Sequence, residues 1–535
     1  MTYIVRIELQ RVQTFLFAVP RLADIIGANA MLGETMRYKL PNLAIEYGSL
    51  APAILPKELS DKIETDPLNA IEPKCADNIV IDNPKMLWEK GILVRDGGHF
   101  RACFKTQEQA ESFSAKAQSL LREQLPDLRF EIGLNDLDNK KDQDLSIESK
   151  PAAAIQLFSL PVLQYCEETG NGVAINTQRY NNNSSETRYI GLAAQQRKNY
   201  WQKFKKQETD DIAALMQRKL KLPSVETFEE LCGDDYLALI HADGNGLGKA
   251  MQALDKKTDW LENEAHIEHF FQTMRVTLRR ALEKAVNDLF ADQEERQGLH
   301  ILMLGGDDLL VACRAPLALD FVNKLAKALA DIQKEKSAQF PALSIGAGIA
   351  IAKPAFPFHH LHDMAEELAS SAKRIIRDME TPVSVVDWVT CSESSYGDLK
   401  DVRKQSQYLC YQVDNKTETL ALSAKPYKIL KESKNEYWSL SELLDAQSEC
   451  MQSEDAKVAR SQLRYLVRQM HKGRRQADLT FKNLKISSPK TWEALEKSGF
   501  TKSLWQPLEE DYWLSYFADL VELMEIPRLQ TEKNA

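Results

Sequence analysis

The sequence is poor in the residues and patterns that mark several specialised classes of protein. It holds 22 glycines and 20 prolines in 535 residues, and this low content excludes collagen-like and low-complexity chains. No run of about 18 uncharged apolar residues occurs, so we predict no membrane-spanning segment. The N-terminus carries early charges and lacks the apolar centre of a signal peptide. We therefore expect a cytoplasmic protein.

Cysteine is scarce, and the eight cysteines are scattered along the chain without a Cys-x-x-Cys pair. This pattern is typical of a reducing compartment and of a chain without a thiolate metal site. We therefore expect no structural zinc.

Positive charge is not in excess, because 78 acidic residues outnumber 68 basic ones and give a formal net charge of −10. This balance argues against a general polyanion binder. A local stripe remains, since Arg460, Arg464, Arg468 and Lys472 recur every fourth residue of an amphipathic helical pattern. The stripe is either a solvated face or a contact for guide RNA or another subunit. A second basic cluster at 197–206 includes aromatic residues and admits either stacking on nucleic acid or loop packing.

Apolar periodicity divides the chain into four predicted parts. A strand at 3–9, a helical stretch, a hairpin around the Asp-Gly-Gly at 96–98 and a helix indicate an α+β unit on an antiparallel sheet. The same order returns from Tyr236, which indicates an internal duplication. We predict two ferredoxin-like domains, each an antiparallel sheet with helices on one face, and a C-terminal helical domain. The predicted parts are 1–150, a connector at 151–230, 231–395 and 396–535.

Three acidic residues fall at predicted turns of the second unit. Asp243 ends an apolar strand, and Asp307 and Asp308 follow the two glycines at a hairpin tip. A strand end and a neighbouring hairpin tip can lie side by side in an antiparallel sheet, so we expect the carboxylates to converge. Their mutual repulsion would be relieved by two Mg²⁺ or Mn²⁺ ions, which prefer oxygen ligands. Such a pair supports attack of a 3′-hydroxyl on an α-phosphate.

Small residues and a lysine around these acids complete the predicted site. We expect Gly305 and Gly306 to take positive φ at the tip and to let a nucleotide approach the backbone. Exposed N–H groups before the next helix would form a triphosphate cradle, and a lysine would reach a phosphate. The cradle glycines are Gly244, Gly246 and Gly248; the lysine is Lys373, with Lys249 as a second candidate. Each short motif alone is also a common turn signal.

Together the motifs resemble the large, polymerase-like subunit of type III CRISPR effector complexes, which is related to GGDEF nucleotidyl cyclases. The matching pieces are 241–248, Gly305-Gly306-Asp307-Asp308 and 348–351 with the following helix to Lys373; residues 7–17 and 27–29 resemble the family's first palm domain. The resemblance covers about 1–390. It implies two palm domains that face each other, each with one ATP, and synthesis of cyclic oligoadenylate messengers for antiviral defence. It also implies that Asp243, Asp307 and Asp308 hold the metals and that Lys373 holds phosphate.

The chain departs from the family pattern in several places. The first palm has Gly97-Gly98-His99-Phe100 where the second has two aspartates, and its strand offers only Glu8. We therefore expect a degenerate first palm without catalytic metals. Cys166 is the one cysteine that resembles part of the family's zinc module, so the connector is expected to lack an intact one. The only His-Asp dipeptide is 362–363, which makes a family-type HD nuclease improbable. We interpret the histidines at 359–362 as a helix start or surface feature rather than a metal site.

Two alternative functions stay open at this stage. The chain could be a non-catalytic scaffold subunit of an RNA-guided complex, or a stand-alone signalling nucleotidyl cyclase. The sequence does not determine the base preference, the ring size and linkage of the product, the activator or the oligomeric state.

Overall fold

Antiparallel sheets and the helices packed on them organise the chain. The structure is a computed structural model that describes residues 2–52, 66–70, 82–136, 163–170, 172–179, 187–209, 211–233, 235–254, 259–291, 296–335, 343–377, 379, 383–391, 399, 403, 407–413, 416–431, 437–451 and 456–526. The apolar run at 78–82, for which the sequence predicts a strand, lies outside the described residues except for Asp82. The polar stretch at 181–186, which the sequence predicts as part of the connector, also lies outside them. No helix in the described ranges is long and apolar enough to cross a membrane.

Sixteen strands are found in the described residues. They are β1 Tyr3–Gln10, β2 Ile92–Val94, β3 His99–Phe104, β4 Arg129–Asp136, β5 Ala174–Arg179, β6 Thr187–Gly191, β7 Leu237–Gly244, β8 Leu299–Leu304, β9 Asp308–Arg314, β10 Ile345–Ala352, β11 Val385–Thr390, β12 Tyr408–Val413, β13 Lys416–Ala421, β14 Tyr427–Lys428, β15 Gln506–Glu509 and β16 Tyr512–Leu514.

The helices of the described residues begin and end as follows. They are α1 Val12–Leu16, α2 Leu22–Glu34, a π-helical turn Thr35–Lys39, α3 Leu40–Glu46, α4 Pro84–Glu89, α5 Gln107–Gln124, α6 Leu192–Lys205, α7 Ile212–Lys219, α8 Phe228–Cys232, α9 Leu247–Ala253, α10 Trp260–Leu289, α11 Ala315–Glu335, α12 Phe358–Lys373, α13 Leu440–Met451, α14 Ala456–Met470, α15 Arg474–Ser487, α16 Pro489–Lys497 and α17 Phe517–Glu525, with 3₁₀ turns at Pro67–Ala70 and Arg374–Ile376.

The first two sheets share one topology. The N-terminal sheet has the order β2-β3-β1-β4, and the second contains β8-β9-β7-β10 in the same arrangement. All of these neighbours pair antiparallel, and β1 and β7 occupy the same inner position in the two sets. This recurrence agrees with the predicted duplication. The second sheet is extended by β11, which runs parallel to β10, and by β14.

Helices cover both faces of the second sheet. Side chains alternate along a strand, so Ile240 and Ala242 of β7 pack in the core formed with α10 and α11, whereas Leu239 packs in the core that includes α12. The α12 core also contains Phe17 and other side chains of the N-terminal unit, which places α12 between the two sheets. The predicted α+β architecture of palm-type sheets is confirmed, and the structure adds α12 on the second face.

A buried ionic cluster joins α10 to the N-terminal unit. Arg275 pairs with Asp82, Asp96 and Glu268, and Arg279 pairs with Asp82 and Asp66. Although burial opposes ionisation, the two guanidinium groups hold the pKa of Asp82 far below its usual range. A buried charge is tolerated only when it is paired, so this cluster fixes the position of α10 against the loop that carries Asp96.

The C-terminal part holds a sheet as well as the predicted helices. Strands β12-β13-β16-β15 form a four-stranded sheet, in which β16 lies parallel to β13. The apolar pattern of 509–524 predicts one helix, but the segment contains the end of β15, then β16 and α17. Aromatic residues such as Tyr512 and Trp513 suit a half-buried pleated surface, which favours a strand there.

The two basic clusters differ in their exposure. In the predicted C-terminal stripe Arg460 is buried, whereas Arg464 is exposed and pairs with Glu525 of α17. Arg468 and Lys472 are exposed. In the 197–206 cluster, Arg197 is buried and donates to the carbonyl oxygens of Phe15 and Leu16, and its aromatic neighbours are also buried. The packing interpretation therefore holds for that cluster.

Candidate active site

The three predicted acids meet at one edge of the second sheet. Asp243 of β7 lies directly opposite Asp308 of β9 in the antiparallel register, and Asp307 precedes Asp308 at the hairpin tip. The backbone N–H of Gly244 donates to the carbonyl oxygen of Asp307 over 3.2 Å, which binds the strand end to the tip. The convergence expected from the sequence is therefore present.

The closeness of the carboxyl groups changes their acidity. Burial, repulsion from Asp243 and a hydrogen bond with that side chain raise the pKa of Asp307 to about 6. Burial and repulsion, from Asp243 first and then from Glu366, raise the pKa of Asp308 to about 7. Both shifts mean that the folded chain by itself disfavours full ionisation of the cluster. A cation at this place would favour it.

Lys373 supplies the positive charge nearest to these acids. It ends α12, and its Nζ pairs with Asp243 and donates to the carbonyl oxygen of Gly244 over 3.1 Å. The contact between Lys373 and Asp243 depends on two glycines of β10, which have no side chains to keep α12 away from the sheet. A Cβ at Gly346 would lie 2.5 Å from Lys373 Cγ, and one at Gly348 would lie 2.0 Å from the carbonyl oxygen of Ala365. These two glycines allow α12 to lie directly on the sheet.

The glycines of the site differ in part from the prediction. Gly305 and Gly306 do not have positive φ, and that prediction is wrong. The turn closes instead through a hydrogen bond from the N–H of Gly305 to the carbonyl oxygen of Asp308, which needs no left-handed residue. The space above Gly306 is open nevertheless, because the nearest atom to a Cβ there would be Arg275 Cγ at 4.0 Å. Close approach of a ligand to this backbone remains sterically possible.

The Gly-rich turn after β7 is anchored on one side and open on the other. Gly246, with φ of 70°, caps α9, and a Cβ at Gly248 would meet no atom within 4 Å. The N–H of Gly244 is used within the fold, as stated above, so it is not free for a phosphate. Lys249 donates to the carbonyl oxygen of Arg377 over 2.9 Å and is exposed.

Asn245 is a structural residue of the turn that sequence reasoning did not single out. Its side chain is buried and donates to the Ser344 hydroxyl and to the carbonyl oxygen of Val383, and its backbone N–H donates to the carbonyl oxygen of Ser344. These bonds fix the turn to the start of β10. The sequence signal for this role was the position of Asn245 between Gly244 and Gly246 in a turn motif.

Two histidines and a glutamate next to Asp308 were also missed. His241 Nε2 lies 3.4 Å from Asp308 Oδ1, and one ligand atom each from His241, His362 and Glu366 lie within 4.8 Å of one another. His362 is buried, so the surface interpretation of 359–362 is wrong for it, although His359 and His360 are exposed. Burial lowers the pKa of both His241 and His362, which favours neutral imidazoles.

The corresponding positions of the first sheet carry no such acids. Ile7 lies opposite Phe100 where β7 and β9 carry Asp243 and Asp308, and Glu8 lies opposite His99. Ile7 and Phe100 are fully buried, so that position offers no metal ligand. His99 Nδ1 lies 3.4 Å from Glu8 Oε1, while burial and the nearby Arg101 and Arg6 lower the pKa of His99. The geometry agrees with the expected degeneracy of this sheet.

Comparison with known proteins identifies the second sheet and its helices. Residues 236–380 match the family model of the second palm domain of Cas10/Cmr2. The Csm1–Csm4 cassette in complex with cA3 aligns with a TM-score of 0.50 and 11% identity over 99% of this chain and 70% of that chain. The same cassette in complex with cA4 aligns with a TM-score of 0.49 and 11% identity over the same shares. No curated protein matches the sequence. The resemblance inferred from the motifs is thus confirmed.

Proposed function

Because residues 236–380 form a second palm domain of the Cas10/Cmr2 family, we propose that the chain is a nucleotidyltransferase that joins ATP into cyclic oligoadenylates. The observation that carries this proposal is the strand register that sets Asp243 opposite Asp308, with Asp307 beside them. The cA3 complex of the structurally similar cassette supports an adenylate product of this class.

The residues present fit a pair of divalent cations. Three carboxyl groups meet, the pKa values of two are raised by their neighbours, and Asp308 Oδ1 is buried without a hydrogen-bond partner. Hard cations such as Mg²⁺ or Mn²⁺ prefer this all-oxygen donor set. We propose Asp243, Asp307 and Asp308 as the ligands. Bound ions would supply Lewis acidity to the α-phosphate and lower the pKa of the attacking 3′-hydroxyl.

The chain's own groups would bind and orient the nucleotide. The ammonium of Lys373 lies at the edge of the acid cluster, where it can pair with a phosphate oxygen. The open backbone at Gly306 and Gly248 can accept a phosphate or ribose at close range, and Gly246 shapes the turn between them and β7. The first sheet would position a second nucleotide without binding metal, since Ile7 and Phe100 replace the acids there.

The chain would work in an assembly with a Csm4-like subunit. Csm1 and Csm4 form the cassette to which this fold is similar, and the exposed Arg468 and Lys472 are candidate contacts for RNA or a neighbouring subunit. Co-purification of the tagged chain from its native cells, followed by analysis of bound protein and RNA, tests this part. Recovery of the chain alone would favour a stand-alone cyclase.

The test of catalysis uses labelled ATP with Mg²⁺ or Mn²⁺, on the isolated chain and on any complex recovered with it. We expect cyclic adenylate product and metal-dependent ATP binding. The Asp307→Asn and Asp308→Asn double variant should form at least 10²-fold less product. Product that persists in this variant would contradict the assigned residues. Metal-dependent ATP binding without product in any assembly would favour the non-catalytic scaffold.

A further inference from the structure

A second cluster of metal-ligating side chains lies behind the proposed catalytic acids. His241, His362 and Glu366 each offer one ligand atom, and these atoms lie within 4.8 Å of one another. We propose that this cluster binds one divalent transition-metal ion of the Zn²⁺ class, separate from the Mg²⁺ or Mn²⁺ ions of the carboxylate site.

The fold brings the three ligands together from distant parts of the sequence. His241 and Asp243 are alternate residues of β7 and therefore face the same side of the sheet. His362 and Glu366 are four residues apart on α12 and therefore share one face of that helix. The close approach of α12 at Gly348 lets this helical face reach His241.

Burial and unpaired atoms indicate that the cluster lacks a partner. His241 is 7% exposed and His362 is 4% exposed. His241 Nδ1 and His362 Nε2 are buried and make no hydrogen bond among the described residues, and the same is true of Asp308 Oδ1. A buried polar atom without a partner destabilises the folded state, and a bound ligand removes that cost. A bound ion would satisfy one nitrogen of each histidine.

The neighbours of the histidines suit metal ligation. The ring of Phe17, from the N-terminal unit, lies 4.4 Å from the ring of His362 and shields it from water.

The donor set selects the class of ion. Two imidazoles and one carboxylate form a set that zinc enzymes use with a fourth position left open. Mg²⁺ and Ca²⁺ prefer sites built entirely from oxygen, so they would favour the aspartates instead. Asp308 lies between the two sites, since its Oδ1 is 3.4 Å from His241 Nε2. An ion at the histidines would therefore lie next to the Asp308 carboxylate, which the proposed Mg²⁺ or Mn²⁺ site also uses.

The experiment measures metal binding rather than activity. The full-length protein is stripped with EDTA, titrated with Co²⁺, and then challenged with Zn²⁺. We expect one tight equivalent with the visible absorption bands of nitrogen-ligated Co²⁺, displaced by Zn²⁺. The variants His362→Asn and Glu366→Gln should each bind at least tenfold more weakly. The double variant His359→Asn and His360→Asn, on the exposed side of the same helix, is the matched control and should bind normally.

Two further variants make the result decisive. Asp307→Asn weakens the carboxylate site but should keep the tight Co²⁺ equivalent, so failure of this proposal and failure of the proposed function can be told apart. Circular dichroism of each variant establishes that it is folded, and Glu366→Gln serves if His362→Asn is not. Absence of a tight equivalent in the wild type, or equal Co²⁺ affinity in a folded His362→Asn or Glu366→Gln variant, would overturn the proposal and leave the cluster as a buried polar network.

Discussion

Replacement of Asp308 by asparagine should stabilise the metal-free protein at neutral and higher pH. Burial and the repulsion from Asp243 and Glu366 raise the pKa of Asp308 to about 7, compared with 3.8 for an ordinary aspartate. The folded state therefore binds this proton more tightly than the unfolded chain does. As pH rises from about 4 to about 7, the wild type loses stability through this group, and above about 7 the loss is complete. Asparagine cannot ionise, so the variant does not lose stability with rising pH through this position.

The size of the effect follows from the shift. About three pKa units correspond to an upper limit of roughly 4 kcal/mol at pH 8. The side chain of Asp308 is 30% exposed, so water screens part of the repulsion, and we expect about half of that limit, ~2 kcal/mol. In a unit of 150–250 residues this corresponds to a rise in melting temperature of about 4–8 °C.

Thermal melts in EDTA from pH 4 to pH 8 measure this difference. The melting temperatures of Asp308→Asn and the wild type should be closest near pH 4, and their difference should grow with pH and level off above about 7. Asp320→Asn is a matched control, because Asp320 is exposed on α11 and pairs only with Lys324 among the contacts described there. A difference that does not vary with pH, or a variant less stable than the wild type at pH 8, would refute the account of clustered, repelling carboxylates.

Three further outcomes test the packing and charge of the second sheet and its contact with the N-terminal unit. Gly348→Ala should reduce the free energy of unfolding by about 1–3 kcal/mol and lower the melting temperature, because the added Cβ would meet the carbonyl oxygen of Ala365. Gly248→Ala is its control, because the Cβ added there meets no atom within 4 Å. Equal melting temperatures of the two variants would contradict the close packing of α12. Asp82→Asn should reduce the free energy of unfolding in denaturant by about 3–5 kcal/mol, because it removes a carboxylate from the buried guanidinium groups of Arg275 and Arg279. A loss of less than about 1 kcal/mol would show that this pairing is dispensable. Mg²⁺ should raise the wild-type melting temperature at pH 8 but not that of the Asp307→Asn and Asp308→Asn double variant; an equal rise would place the ion elsewhere.

Local sequence patterns were sufficient to predict β7 to β10 of the second sheet and the convergence of the catalytic candidates, but not β11 and β14. A continuous apolar run before Asp243 and a two-glycine tip before Asp307 indicate a strand and a hairpin, and antiparallel pairing brings their ends together. The sequence predicts helices at about 106–125 and 260–290, and both are present within about one residue, because their apolar period is long and regular. The helical period of the segment that forms α14 could not show that Arg460 is buried.

Long-range packing decided what the sequence left open. The C-terminal sheet pairs Lys416–Ala421 with Tyr512–Leu514, and no local period carries information about a partner so far along the chain. The cluster of His241, His362 and Glu366 likewise exists only because α12 lies against the glycines of β10, so residues more than 120 positions apart share one buried site. Periodicity specifies which face of an element is apolar, whereas the distance between two elements depends on side-chain volumes at their contact, and these act only once the chain has folded.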